Sequence, residues 1–301
     1  MEQYESASVL LHGLVVHDRC MEQNGGAWAP ATSFDGGQAV GMEVVILADA
    51  DAVAVFVADC VERLVVANPQ SVLGLATGSS PLGVYGELVR RHRAGAMTFR
   101  QVHAFLLDEY IGLPAGHDQS YRAFIELHFS TLVDIVPANV HVPDGGAADV
   151  PSACRAYEDA MRAAGGVDLQ LLGIGTDGHL GFNEPTSSLA SRTRVKTLTQ
   201  QTRQDNARFF GHLDDVPHHV VTQGIGTILD ARHVVLIATG AGKAGPIARA
   251  VEGPLAAVCP ASALQLHPHA TVVVDEASAA ELTLTEYYRD TFANKPLWQS
   301  P

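Results

Sequence analysis

From residue 42 onward, short apolar runs alternate with longer stretches whose apolar residues recur at helical spacing, and few architectures accept that rhythm. The runs at 43–48, 71–76, 102–107, 140–142, 168–174, 194–198, 233–238 and 271–274 are too short for core helices and read as strands. Between them, 49–68 carries Val53, Phe56, Val57, Val61, Leu64 and Val65 on one face, and 82–93 reads as a second helix. Asp118 is expected to cap a helix starting near Ser120, and Asp149 with Pro151 to open one running toward Gly165. A helix through Phe209, a short one at 226–229 and a C-terminal helix complete the series. This alternation predicts an α/β fold, a doubly wound and mostly parallel sheet in a single domain over 42–301. Residues 1–41 are rich in glycine and polar residues and have no period. They read as a disordered N-terminal extension, with Met42 as the native start.

Composition limits the partners. At 47% hydrophobic over 301 residues the chain can build a sizeable core. Nineteen Lys and Arg against 33 Asp and Glu give a net charge of −14, which argues against nucleic acid or an anionic membrane as partner. Salt screens exposed charge beyond roughly 8 Å, so a small anionic ligand held by local cations stays open. Cys20, Cys60, Cys154 and Cys259 show no paired spacing and read as free thiols in a reducing cytoplasm. No apolar run approaches the ~18 residues of a membrane span. The short run at 9–16 is interrupted by His12 and Gly13 and follows Glu2 and Glu5, unlike a signal segment.

Three strand ends carry chemistry-bearing loops: TGSSP at 77–81, DEY at 108–110 and GTDGHLGFNEP at 175–185. In a parallel sheet such ends share one edge, so Asp108 and His179 are potential neighbours although 71 positions separate them. Asp177 and Glu184 flank His179, and an imidazole between two carboxylates can serve as a proton shuttle. The same residues also suit an Asp-Gly turn with a surface histidine. Thr77, Gly78, Ser79 and Ser80 offer N–H groups and hydroxyls before a helix, a phosphate site or equally a capped turn. Asp108 suits a base that takes a carbon-bound proton beside a carbonyl, or a turn cap. TGAGKAG at 239–245 is not a P-loop, because Ile237 stands where the first glycine belongs and Ala244 follows the lysine. Lys243 remains as a phosphate cation. His218, His219, His267 and His269 lack partners at ligand spacing, so no metal is expected.

Taken in order, LGLATGSSP, FLLDEYIGL, GIGTDGHLGFNEPTSSLASRTRVKTLT, GIGTILDA and LQLHP resemble the glucosamine-6-phosphate deaminases (isomerases), over 42–292. The resemblance implies a modified Rossmann-like fold and conversion of glucosamine 6-phosphate and water to fructose 6-phosphate and ammonia, with no cofactor. It casts His179 as the ring-opening residue, oriented by Asp177 and Glu184, and Asp108 as the base that moves the C2 proton to C1. Thr77, Gly78, Ser79, Ser80, Arg208 and Lys243 match the family's phosphate grip. Ser187, Arg194, Lys196 and Thr197 stand where some bacterial members, which are hexamers, bind the activator N-acetylglucosamine 6-phosphate. The C-terminal effector tyrosine falls on Arg289 in a gapless match, with Tyr287 and Tyr288 offset from it. A homo-oligomer is the corresponding expectation. The alternatives share the scaffold: a 6-phosphogluconolactonase-like hydrolase, which needs no carbon acid chemistry, or a non-catalytic sugar-phosphate sensor, which would lack these acids.

Overall fold

The computed structural model describes residues 41–114 and 116–296. The chain enters through β1 (Gly41–Leu47), α1 (Ala50–Ala67), β2 (Val72–Leu75) and α2 (Leu82–Arg93). Next come β3 (His103–Leu106), β4 (Asp108–Tyr110), α3 (Tyr121–Ile125), β5 (Val140–His141) and α4 (Val150–Ala163). Then follow β6 (Leu169–Leu172), β7 (Arg194–Thr197), α5 (Gln200–Phe210), β8 (His219–Thr222) and α6 (Ile225–Leu229). The order ends with β9 (His233–Ala238), α7 (Ala244–Val251), β10 (His269–Asp275) and α8 (Thr285–Ala293).

Seven strands form one parallel sheet in the order β1-β10-β9-β6-β2-β3-β5. The chain winds outward from β2 through β3 to β5, then resumes at β6 on the other side of β2. The β2/β6 boundary is therefore the switch point where ligands enter such sheets. Both faces are covered, and the strands alternate accordingly. Leu73, Leu75, Val235, Ile237 and Val273 point into the core beneath α1 and α2. Val72, Val234, Leu236, Val272 and Val274 point into the core on the opposite face, with α4, α6 and α7.

Several expectations change here. The run at 102–107 stops at Leu106, and DEY is not a loop but the strand β4, which leaves the parallel sheet. It joins a second, antiparallel sheet in the order β4-β8-β7. The run at 194–198 lies in that small sheet, and its partner β8 is a strand the sequence reading omitted. The strand expected at 168–174 ends at Leu172. Ser120, not Asp118, caps α3, its Oγ accepting from the Ala123 N–H at 3.1 Å. Gly41 already pairs with His269, while the extension before it lies outside the described residues.

At the amino-terminal edge of the parallel sheet, where β9 and β10 begin, His233 and His269 stack face to face at 3.7 Å. His233 Nε2 lies 2.9 Å from Thr271 Oγ1. Burial first, then the neighbouring His269, His267 and Lys295, pull the His233 pKa down to about 3. An unfolded histidine titrates near 6.5. The fold therefore favours the neutral ring, a contribution fully present above about pH 6.5 and lost as pH falls from there toward 3. Thermal unfolding between pH 7 and pH 4.5 should show stability dropping with acid. His233→Phe should flatten that slope by up to about 1.4 kcal/mol per pH unit, the value for one proton.

Candidate active site

Beyond β6 the chain turns tightly. Gly175 N–H donates to His179 O at 3.0 Å, and Gly178 N–H to Gly175 O at 3.0 Å. This turn folds Asp177 back on His179. The Asp177 carboxylate accepts the His179 backbone N–H at 3.0 Å, and its Oδ1 lies 2.7 Å from His179 Nδ1. That second contact falls outside hydrogen-bond alignment, so Nδ1 has no formal hydrogen-bond partner although the carboxylate lies directly against it. The His179 contact, against the opposing effect of burial, holds the Asp177 carboxyl below the usual range, so an anion sits beside the imidazole. Glu184 is buried, and its Oε1 accepts from Thr202 Oγ1 of α5. Its anchor is thus α5, whereas Asp177 is what meets His179.

The two neighbouring acids of β4 have separate tasks. Glu109 accepts backbone N–H groups from Tyr110, Tyr121 and Arg122 at 2.8–3.0 Å, which secures the start of α3. Asp108 is buried, and burial, then the charge of Glu109, pushes its carboxyl well above the ordinary carboxylate pKa. Its place follows from pairing: Asp108 is opposite Thr222 in β8. Thr222 Oγ1 accepts the Phe182 N–H at 3.2 Å. A Cβ placed on Gly181 would lie 3.2 Å from Asp108 Oδ2. The acid of β4 therefore abuts the loop that carries His179, two residues from it. A raised pKa makes the carboxylate a stronger base, which suits a group that accepts and returns a proton.

The polar loop after β2 closes the other side. No side-chain oxygen caps α2, whose N-cap is Pro81. The hydroxyls of Thr77, Ser79 and Ser80 are accordingly not engaged in the capping that one reading of TGSSP required. Ser80 Oγ lies 3.4 Å from where a Cβ on Gly173 would stand, at the end of β6. Lys243 Nζ donates to Ile174 O at 2.6 Å. Burial lowers its pKa against the opposing pull of Asp177. One rim therefore holds hydroxyls, helix N–H groups and an ammonium, an arrangement fit for a phosphomonoester. Arg208 belongs to α5, but its side chain lies outside the described residues. Arg249, one helical segment after Lys243, donates to Thr176 O at 2.9 Å. The sequence reading missed it, and nothing local distinguishes it from other surface arginines.

A charge-assisted hydrogen bond contributes about 1.5–3 kcal/mol. Lys243→Met should therefore raise the KM for a phosphorylated sugar roughly ten- to a hundredfold, read from steady-state kinetics.

The four residues matched to an activator site divide in two. Ser187 is buried with its Oγ unpaired, and Arg194 Nη1 donates to Asn183 Oδ1 at 2.8 Å. Asn183 in turn donates to Leu180 O at 2.9 Å and Gln223 O at 2.7 Å, inside the scaffold of the loop. Lys196 and Thr197 lie on β7, an edge of the small sheet. Tyr288 and Arg289 make bonds to Glu252 and Glu276.

Comparison with known proteins gives a consistent result. Residues 48–274 match the profile of the glucosamine-6-phosphate isomerases/6-phosphogluconolactonase. A glucosamine-6-phosphate deaminase of Arthrobacter sp. (strain FB24) is 64% identical over 258 residues, 86% of this chain and 99% of that protein. The glucosamine-6-phosphate deaminase of Mycolicibacterium smegmatis is 58% identical over 259 residues, again 86% of this chain and 99% of that protein. A solved structure described as a monomeric glucosamine-6-phosphate deaminase superposes with TM-score 0.78 at 39% identity, covering 80% of this chain and all of that one. The 6-phosphogluconolactonase of Thermotoga maritima, at 21% identity and TM-score 0.62 over 78% of this chain and all of that one, shares the fold.

Proposed function

This chain belongs to the family of glucosamine-6-phosphate isomerases and 6-phosphogluconolactonases, and from that membership we propose the following account of its catalysis. The reaction is the isomerising deamination of glucosamine 6-phosphate, with water, to fructose 6-phosphate and ammonia. The observation that carries the account is the approach of Asp108 to the loop bearing Asp177 and His179, beside the rim formed by Ser80 and Lys243.

The phosphate is gripped by Thr77, Gly78, Ser79 and Ser80 with Lys243 and Arg208, which leaves the sugar ring over His179. With Asp177 orienting the imidazole, His179 takes the proton of the C1 hydroxyl and returns one to the ring oxygen, opening the pyranose to the aldehyde. Glu184 bounds the site from the α5 side. Asp108 then removes the proton from C2, acidified by the neighbouring carbonyl, and delivers it to C1 through an enolamine. The imine left at C2 is attacked by water, and the carbinolamine expels ammonia to give the ketone. Each step moves protons, and none changes an oxidation state overall.

The same reading includes an N-acetylglucosamine 6-phosphate activator at Ser187, Arg194, Lys196 and Thr197, supported by the buried unpaired Ser187 hydroxyl and by the Arg194 guanidinium, which is held by Asn183. It also includes a cytoplasmic homo-oligomer, hexameric as in some bacterial members. Among the described residues no helix is long and apolar enough to cross a membrane. Sedimentation distinguishes that assembly from the monomer described for the solved relative. The reaction itself is tested by incubating the protein with glucosamine 6-phosphate. Ammonium and fructose 6-phosphate should appear in equal amounts, with no hydrolysis of 6-phosphogluconolactone. Lactone hydrolysis without ammonium release would overturn it.

A further inference from the structure

The role given above to His179 rests on that reading, and a separate segment of the chain determines where its loop can lie. Residues 254–262 run against the loop and hold it at two points. Ala261 N–H donates to Gly178 O at 2.9 Å, and Thr186 N–H donates to Ala257 O at 2.8 Å. Gly178 and Thr186 bracket both His179 and Glu184. Each lies in left-handed backbone, at φ +93 and +73. Among the described residues Thr186 is the one non-glycine there, a conformation that a β-branched residue keeps only when its surroundings enforce it.

The strap is itself closed. Ser262, fully buried, accepts the Ala256 N–H at 2.9 Å through Oγ and donates to Ala256 O at 3.1 Å. Cys259 N–H bonds Ala256 O at 3.0 Å, and Ser262 N–H bonds Cys259 O at 2.9 Å. These bonds aim the Cys259 side chain, which is buried, at the catalytic turn. A Cβ built on Gly178 would fall 2.6 Å from Cys259 Sγ, closer than real contacts allow. The thiol thus already fills the open face of Gly178, and nothing larger fits without moving the backbone next to His179.

The geometry points to Cys259 as a positioning residue for His179: its side-chain volume, with the two strap hydrogen bonds, fixes the height of the turn that presents the imidazole. Cys259→Met should displace Gly178 outward. A misplacement of about 1 Å costs on the order of a hundredfold in rate. The expected result is therefore a kcat for ammonium release about a hundredfold lower with KM changed less than threefold. The unfolding midpoint should fall by several degrees, the usual cost of overpacking, and the His179 ring resonances in NMR should shift. Cys259→Ser, which keeps the side-chain volume, should retain kcat within about threefold. Should Cys259→Met fail to fold, the smaller enlargement Cys259→Val should lower kcat at least tenfold with the same shift of the His179 ring.

A folded Cys259→Met variant with normal kcat and unchanged ring resonances would overturn the inference, as would a change confined to KM. If the parent protein released no ammonium, the assigned reaction would fall, while the ring resonances would still report whether the strap sets His179.

Discussion

Asp108→Asn should bind a phosphorylated sugar as the parent does and turn it over about 100- to 10,000-fold more slowly, the range that a positioned base contributes. The amide keeps the shape of the carboxyl and its packing against Gly181 and β8, so the site retains its form. It loses only the capacity to take the C2 proton. The same substitution should not weaken the fold. The Asp108 carboxyl is pushed well above its ordinary pKa by burial and then by Glu109, so folding favours its protonated form. Its ionisation opposes folding at every pH above the unfolded value near 3.9. At pH 7 the neutral amide should therefore unfold at the same temperature as the parent or a higher one, a trade of stability for activity usual at catalytic groups. Calorimetry beside a binding titration checks both halves. Near-normal turnover would remove Asp108 from the mechanism.

His179→Gln should separate ring opening from the later chemistry. With the cyclic substrate the loss should again be about 100- to 10,000-fold, since the variant cannot pass a proton between the C1 hydroxyl and the ring oxygen. An analogue without the 5-hydroxyl cannot close the six-membered ring and bypasses that step. On it, the variant should approach the parent rate. Equal losses on both compounds would place His179 in the C2-to-C1 transfer instead.

Much of this site was legible in the sequence because its parts follow strong local signals. The apolar runs before TGSSP and GTDGHLGFNEP are strands whose carboxyl ends face the β2/β6 switch point. The glycines mark where the chain leaves the sheet, and the polar residues cluster there. What was not legible depends on pairing over distance. β4 is three residues long and β8 four, too short for any period, and their antiparallel partnership joins positions more than a hundred residues apart. The division of work between Asp108 and Glu109 needed α3, whose first N–H groups occupy Glu109. Ser120 rather than Asp118 caps that helix because the extended backbone falls at Ser120. Cys259 and Arg249 reach the catalytic turn only through the packing of α7 and the strap, a proximity with no local signature.

The central claim is that an anion grip at one loop places the reacting carbon of the sugar between His179 and Asp108. The direct measurement is a crystal structure of the protein with 2-amino-2-deoxyglucitol 6-phosphate, an open-chain compound that cannot react. The account predicts its phosphate within hydrogen-bond distance of Ser80 and Lys243, and C2 within about 3.5 Å of the Asp108 carboxyl. A phosphate bound elsewhere on the protein, or a C2 facing away from Asp108, would contradict it.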